Sequence, residues 1–366
     1  LIGIYFFLLS FSLSTQVGFD VYSKFNLFYG ADFPRVISNS IDINSDHSRM
    51  TSFHPFFSLI VMPISNLLLI FGVGIKNSYQ IIVSFSGSLC GVIMYLTFRN
   101  LKIRVLDAVL LVLAFSSSSA YIFWWSLPET FPLGALTIVT SFYLLSTKSQ
   151  SFYKWFITSF FTISISTTNF MVAIISMYFG KVKNFLKIIS MTLITVLIFS
   201  YLQTFVIPSA RWMLRGLSPW VSKNDIFLPN LNKIIDFFIF SFVSAKPVKA
   251  IANNGLDTIS QYKDILDIKS KVVLDQLGIV NSYDLNQYFS ALFVVIFIIW
   301  TFIILLSLIS FFYNEKFQLP LSKVISKTSL FFIIGQFILH LIFGDMPFLF
   351  SAHFSIGFFI FISFIF

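Results

Sequence analysis

The stretch ADFPRVISNSIDINSDHSRMTSFHPFF, residues 31–57, gathers Asp32, Arg35, Asp42, Asp46, His47, Arg49 and His54 between two strongly apolar runs. Carboxylates of this kind take protons from attacking hydroxyls, and guanidinium groups hold phosphates through paired hydrogen bonds. Imidazoles exchange protons near neutral pH. More such groups stand far along the chain: Glu129 in WWSLPETFPLG, Asn169 in STTN, Arg211 and Arg215 in SARWMLRG, and Asp345 and His353 in FGDMPFLFSAHF. Each also has a plainer explanation. Asp32 precedes Phe-Pro-Arg and suits a helix cap with Pro34 in the first turn, and Arg35 is then an i,i+3 partner of little worth. His54 precedes Pro55, a favourable helix start. Glu129 follows Pro128 in a two-proline turn, where a solvated acid is unremarkable. Asp42, Asp46 and His47 fit a solvated loop, with His47 and Asp46 as a weak pair of metal ligands.

The elements that must position these groups follow from composition. Of 366 residues, 57% are hydrophobic, 11% are charged and 50 are phenylalanine. Soluble domains carry about a quarter charged residues, and apolar runs near the ~20 residues needed to cross a bilayer recur here. The expected class is an all-α polytopic membrane protein. A β-barrel is excluded because apolar residues come in blocks and do not alternate. The single cysteine, Cys90, rules out an internal disulfide and a thiolate metal centre. No basic, aromatic soluble face speaks for nucleic acid. Both ends of the sequence are expected to be trimmed, so no targeting signal is judged.

Expected spans are 1–17, 77–98, 105–124, 130–147, a broken pair at 153–165 and 168–180, 185–207, 288–312, 329–344 and 352–366, about ten in all. The turns RNLKIR, KSQSFYK, KVKNFLK and NEKFQLPLSKVISK are rich in Lys and Arg, whereas SLPETFP, STTN and GDMPFLFSAH have none. The first set is therefore assigned to the cytoplasm and the second to the outside. Parity then forbids 55–74 from crossing. Pro63 is expected to break that run into pieces of about eight residues, each ~12 Å of helix, lying in the outer interface. The alternative is an ordinary kinked span with one exception to the charge rule. Three parts result: a membrane module at 1–207 with a first outer loop at 18–76, an outer, mostly helical subdomain at 208–287, and C-terminal spans at 288–366. Ionisable residues nearly avoid the spans, which counts against an ion-coupled pump. The polar chemistry collects at one surface, where it fits amphiphilic substrates.

A first span, an outer loop with an acid (GADFPRV) and His-Pro opening an interfacial helix (FHPFFSLIVMPI) resemble the GT-C superfamily of membrane glycosyltransferases. Seven spans up to residue 207 followed by a long outer loop are similar to that superfamily's shared module. SLPETFPLGAL and FGDMPFLFSAHF look like passages of its bacterial envelope members. The resemblance covers most of the chain through short motifs, and its layout is more specific than any tripeptide.

The resemblance implies a polyprenyl-phosphate sugar as donor and an envelope glycan as acceptor, O-antigen among the candidates, both at the outer face of a bacterial inner membrane. The family's first-loop acid, as catalytic base or acceptor holder, maps onto Asp32. Asp20, Asp42 and Asp46 compete for the second acid the family often shows. Some members need a divalent cation, for which this sequence presents no clear ligand set. The leaving polyprenyl phosphate is already an anion and needs cations more than an acid. Arg35, Arg49, Arg211 and Arg215 are the candidates for it, and His54, Glu129 and His353 would orient sugar hydroxyls. Two alternatives stay open: a polysaccharide polymerase or ligase with a longer lipid-linked donor, and a flippase that makes no bonds. Nearly bare spans speak against the flippase.

Overall fold

A computed structural model describes residues 1–16, 33–216, 237, 291–313, 320–342 and 350–365. Every regular element among them is a helix, as the blocked apolar pattern requires: α1 (Ile2–Gln16), α2 (Phe33–Asn39), α3 (Met50–Phe53), α4 (Phe57–Ile70), α5 (Ile75–Asn100), α6 (Val105–Ser116), α7 (Ser119–Trp124), α8 (Phe131–Ser146), α9 (Phe152–Ile165), α10 (Phe170–Phe179), α11 (Phe185–Val206), α12 (Met213–Gly216), α13 (Ala291–Tyr313), α14 (Pro320–Ile342) and α15 (Ser351–Ile362). A 3-10 turn, Thr167–Asn169, separates α9 from α10, and a second, Ser363–Ile365, follows α15. Helices Ile75–Asn100, Phe185–Val206 and Pro320–His340 are long and apolar enough to cross a membrane.

Small residues let the long helices touch. Gly91 of α5 lies against the Phe6 ring of α1, and a Cβ there would sit 2.7 Å from it. Ser10 of α1 bonds the Tyr121 hydroxyl at 2.7 Å, and Tyr121 stacks on Trp125 with centroids 4.5 Å apart. Close packing through glycine and serine, with a polar bond across helices, is how apolar helices associate where lipid removes the hydrophobic drive. Trp124 Nε1 donates to Ser351 Oγ at 2.9 Å, which fixes the start of α15 beside the turn after α7.

The bundle has two chemically different ends. At one, α5, α8 and α10 close on Lys102, Lys148 and Lys181, each in the left-handed region, and α14 begins. At the other lie α2, α3, the turn before α8, the 3-10 turn after α9 and the start of α15. Both neighbours of α4 belong to this second end. Phe56 N donates to Ser164 O where α9 finishes (3.0 Å), and Tyr79, one turn into α5, donates to Val36 O of α2 (2.9 Å).

Four expectations need correction. Pro63 does not break 55–74: α4 runs continuously through it for 14 residues. A proline withholds a single N–H, here the one owed to the Leu59 carbonyl, and the turns on either side carry the helix past it. At about 21 Å, α4 still falls short of the ~30 Å hydrocarbon core. Segment 105–124 is two helices, because Ser116 and Ser118 turn their hydroxyls back to Leu113 O and Phe115 O and Ser118 then caps α7. The span placed at 329–344 starts nine residues earlier, at Pro320, whose fixed φ suits a first helical turn. His54 does not open the helix after it. It closes α3, and Phe56 precedes α4. The outer subdomain expected at 208–287 lies outside the described residues beyond Gly216, apart from Phe237.

Candidate functional site

The site is assembled from five chain segments at the end of the bundle away from the lysine-closed turns. Helix α2 buries Phe33, Val36 and Ile37, which leaves Arg35 on its other side. Arg49 and α3 follow after the loop. The turn Glu129–Thr130 leads into α8, Ser166–Thr168 joins α9 to α10, and Phe350 and His353 open α15. Arg35, Arg49, Phe53, His54, Glu129, Thr130, Phe131, Ser166, Thr167, Thr168, Phe350 and His353 line one cavity of about 260 Å³, with Val36 and Met50. Five side chains singled out in the sequence (Arg35, Arg49, His54, Glu129 and His353) therefore share a single space.

Local bonds hold several of them. His54 Nδ1 bonds the Ile165 carbonyl at 2.6 Å, where α9 gives out before the Thr167–Asn169 turn. Glu129, only 6% exposed, accepts from Thr130 N at 2.6 Å and Thr130 Oγ1 at 3.1 Å through Oε2. The solvated turn acid expected there is thus a buried carboxylate fixed at the start of α8. His353 is 1% exposed, and its ring meets the Phe131 ring at 5.2 Å, edge to face.

Other expected members fall elsewhere. Asp32, Asp20 and Asp345 lie outside the described residues. Arg211 and Arg215 are exposed and do not line the cavity. Their segment packs against the back of α3, where Arg211 N donates to Thr51 Oγ1 at 3.0 Å. Asp42 and Asp46 accept the backbone N–H two residues on, from Asn44 and Ser48, as loop-forming aspartates do. The Ser48 hydroxyl and N–H, with the more distant Arg35 and Arg211 charges, hold the Asp46 carboxyl below its usual range. No group of three or more His, Cys, Asp or Glu side chains among the described residues is arranged to hold a metal ion.

His47 was expected to be solvated and is fully buried. Its Nδ1 bonds Ser58 Oγ (3.0 Å), its Nε2 faces the Asp42 carbonyl (2.9 Å), and its backbone N–H donates to Ser209 Oγ (2.8 Å). Burial pushes the imidazole below its ordinary value of 6.5, outweighing the Asp42 carbonyl and the two aspartate charges. A native pKa below the unfolded one means that the unfolded loop binds the proton more tightly. The stability His47 contributes is therefore complete above about pH 6.5 and is lost as pH falls through the lower native value. Hydrogen exchange at Arg211 N should accelerate as pH is lowered from 7 towards 5, after correction for intrinsic rates. His47→Gln should remove that dependence, and an unchanged profile in the variant would assign it to other groups.

Sequence reasoning missed Phe53, Thr167, Thr168 and Phe350 in the lining. The broken pair of helices was the available signal for the two threonines, because an interrupted helix turns its connecting residues into a cavity wall. A separate apolar groove of about 310 Å³ lies between α4, α8 and α9, lined by Ile60, Leu133, Leu136, Ile157, Phe161 and Ile165, among others. Ile165 belongs to the groove, while its carbonyl anchors His54 in the cavity.

Compared with protein-family models, curated proteins and solved structures, the chain has no match to any of them.

Proposed function

We propose that this chain is a membrane glycosyltransferase of GT-C type, moving a sugar from a polyprenyl-phosphate donor to an envelope glycan at the outer face of the membrane. The observation that carries the reading is the cavity that unites Arg35, Arg49, His54, Glu129 and His353 at one end of the bundle; the neighbouring residues Ile165 and Ser166 link it to the apolar groove between α4, α8 and α9. A lipid-linked sugar has three chemically distinct parts. The groove suits its hydrocarbon, the two arginines suit its phosphate, and the cavity is of a size for one sugar ring, just under the ~300 Å³ at which drug-sized pockets begin. Asp32, immediately before α2 in sequence, is the proposed base, and His54, Glu129 and His353 orient hydroxyls. The phosphate leaves as an anion, so arginine pairing in a site of low dielectric lowers the barrier without a general acid. A metal ion is not assigned a place.

In this reading about ten helices cross the inner membrane, with the lysine-closed turns in the cytoplasm and α4 in the outer interface. Cysteines introduced singly at Ser45 and Asn77 should then react with an impermeant reagent from outside, and one at Lys148 should not. Cys90 is buried and gives little background. Labelling of Asn77 only from the cytoplasm would make α4 a span and dismantle the topology. Comparison of surface glycans with and without the gene tests the function itself: loss of one sugar substituent is expected. A polymerase or ligase would instead alter chain length or attachment, and an unchanged glycan contradicts all three.

A further inference from the structure

Close to the cavity lies a small polar group without hydrogen-bond partners among the described residues. Asn169 is fully buried and His353 nearly so, yet both amide atoms of Asn169 and both ring nitrogens of His353 lack hydrogen-bond partners among the described residues. Buried polar atoms are almost always bonded, so four orphans in one place require a cause. Asn169 stands at the N-cap position of α10, where asparagine ordinarily accepts a backbone N–H, but its side chain makes no such bond. Capping therefore does not explain the residue.

The two side chains converge at Gly134, in the first turn of α8. A Cβ there would lie 2.4 Å from His353 Nε2 and 2.8 Å from Asn169 Nδ2. Glycine lets both side chains close onto the α8 backbone, where any Cβ would collide with them. His353 also lines the cavity that Arg35 and Arg49 line. Asn169 and His353 set neutral donors and acceptors side by side at its edge. A hydroxyl, which donates and accepts at once, matches an amide and an imidazole together.

We infer that Asn169 and His353, spaced by Gly134, form a subsite that reads a hydroxyl group of the donor's sugar ring. This rests on the transferase reading and deepens it: the polyprenyl phosphate stays at the arginines while the sugar points inward, and one ring hydroxyl is selected by position. Removal of that hydroxyl, or of either side chain, leaves the remaining partners orphaned again, which makes such a site selective against deoxy sugars.

The test uses the full chain in nanodiscs. Farnesyl-phosphate glucose, galactose and mannose are titrated first, and the tightest binder is then compared with its monodeoxy analogues. Wild type should lose roughly tenfold or more in affinity for one deoxy position. Asn169→Ala and His353→Phe should bind the parent sugar more weakly and discriminate that position by less than about threefold, the signature of a direct contact in a double-mutant cycle. Without ligand, Asn169→Leu, which keeps the volume and removes the unsatisfied amide, should keep or raise the Tm. Gly134→Ala, whose Cβ would push both side chains out of place, should weaken binding of the parent sugar. Equal discrimination in wild type and Asn169→Ala overturns the inference and leaves the transferase reading standing. So does a marked fall in Tm of ligand-free Asn169→Leu, because it would show that the amide already has a structural partner. Binding of none of the three donors overturns both.

Discussion

Replacing Asp32 by asparagine is expected to lower sugar transfer by roughly 10²-fold or more while protein level and donor binding stay nearly intact. The acceptor hydroxyl must lose its proton as it attacks the anomeric carbon, and asparagine cannot take it. Asparagine does cap a helix about as well as aspartate, so the substitution separates a base from a cap at the start of α2. Initial rates of transfer from a radiolabelled polyprenyl-phosphate sugar, normalised to protein in the membrane, provide the measurement. Near-normal transfer would leave Asp32 as a cap. The search would then narrow sharply. Asp42 and Asp46 are spent on loop backbone, and Glu129 is the one carboxylate among the described residues that line the cavity.

Arg35→Gln combined with Arg49→Gln is expected to raise the KM for the donor by roughly 10- to 10²-fold, since charge-assisted bonds to phosphate contribute about 1.5–3 kcal/mol each and glutamine retains part of the contact. kcat should also fall, because charge on the leaving phosphate increases as the glycosidic bond breaks. Arg211→Gln and Arg215→Gln serve as the comparison. Both residues are exposed and outside the cavity, so changes within about threefold are expected, diminishing further with added salt. An equal effect of all four would make the arginines a diffuse attraction for anionic lipid and would remove the phosphate site from the cavity.

Much of this architecture was legible in the sequence. Blocks of apolar residues announced the helices, the Lys- and Arg-rich turns announced which ends belong together, and the interruption at Ser166–Asn169 marked a broken pair that the structure retains as α9, the 3-10 turn and α10. The polar residues of the loops and turns assigned to the outside could be grouped in advance because antiparallel helices return every second turn to the same end. Five of them line one cavity for that reason.

What stayed hidden depends on contacts distant in sequence. His47 resembles a loop residue until Ser209, 162 positions later, covers its backbone and Ser58 takes its ring. Glu129 resembles a solvated turn acid until Phe350 and His353 arrive from α15 to wall the same space. Pro63 was misjudged by a local rule, because a continuous helix tolerates one missing N–H when its flanking turns are well packed, as Val61, Met62 and Ser65 are here. The pairing of Asn169 with His353 over Gly134 could not be read from spacing, since each belongs to a different helix.

In the proposed reading, the cavity around Arg35, Arg49 and Glu129 transfers a sugar from a polyprenyl phosphate. The most direct measurement places purified protein in liposomes with a radiolabelled polyprenyl-phosphate hexose and delipidated envelope polysaccharide from cells lacking the gene. Wild-type protein should move label from the lipid to the polysaccharide, and the Arg35→Gln, Arg49→Gln protein should do so at least tenfold more slowly at limiting donor. Label that crosses to the opposite leaflet without leaving the lipid would contradict the claim and identify a flippase.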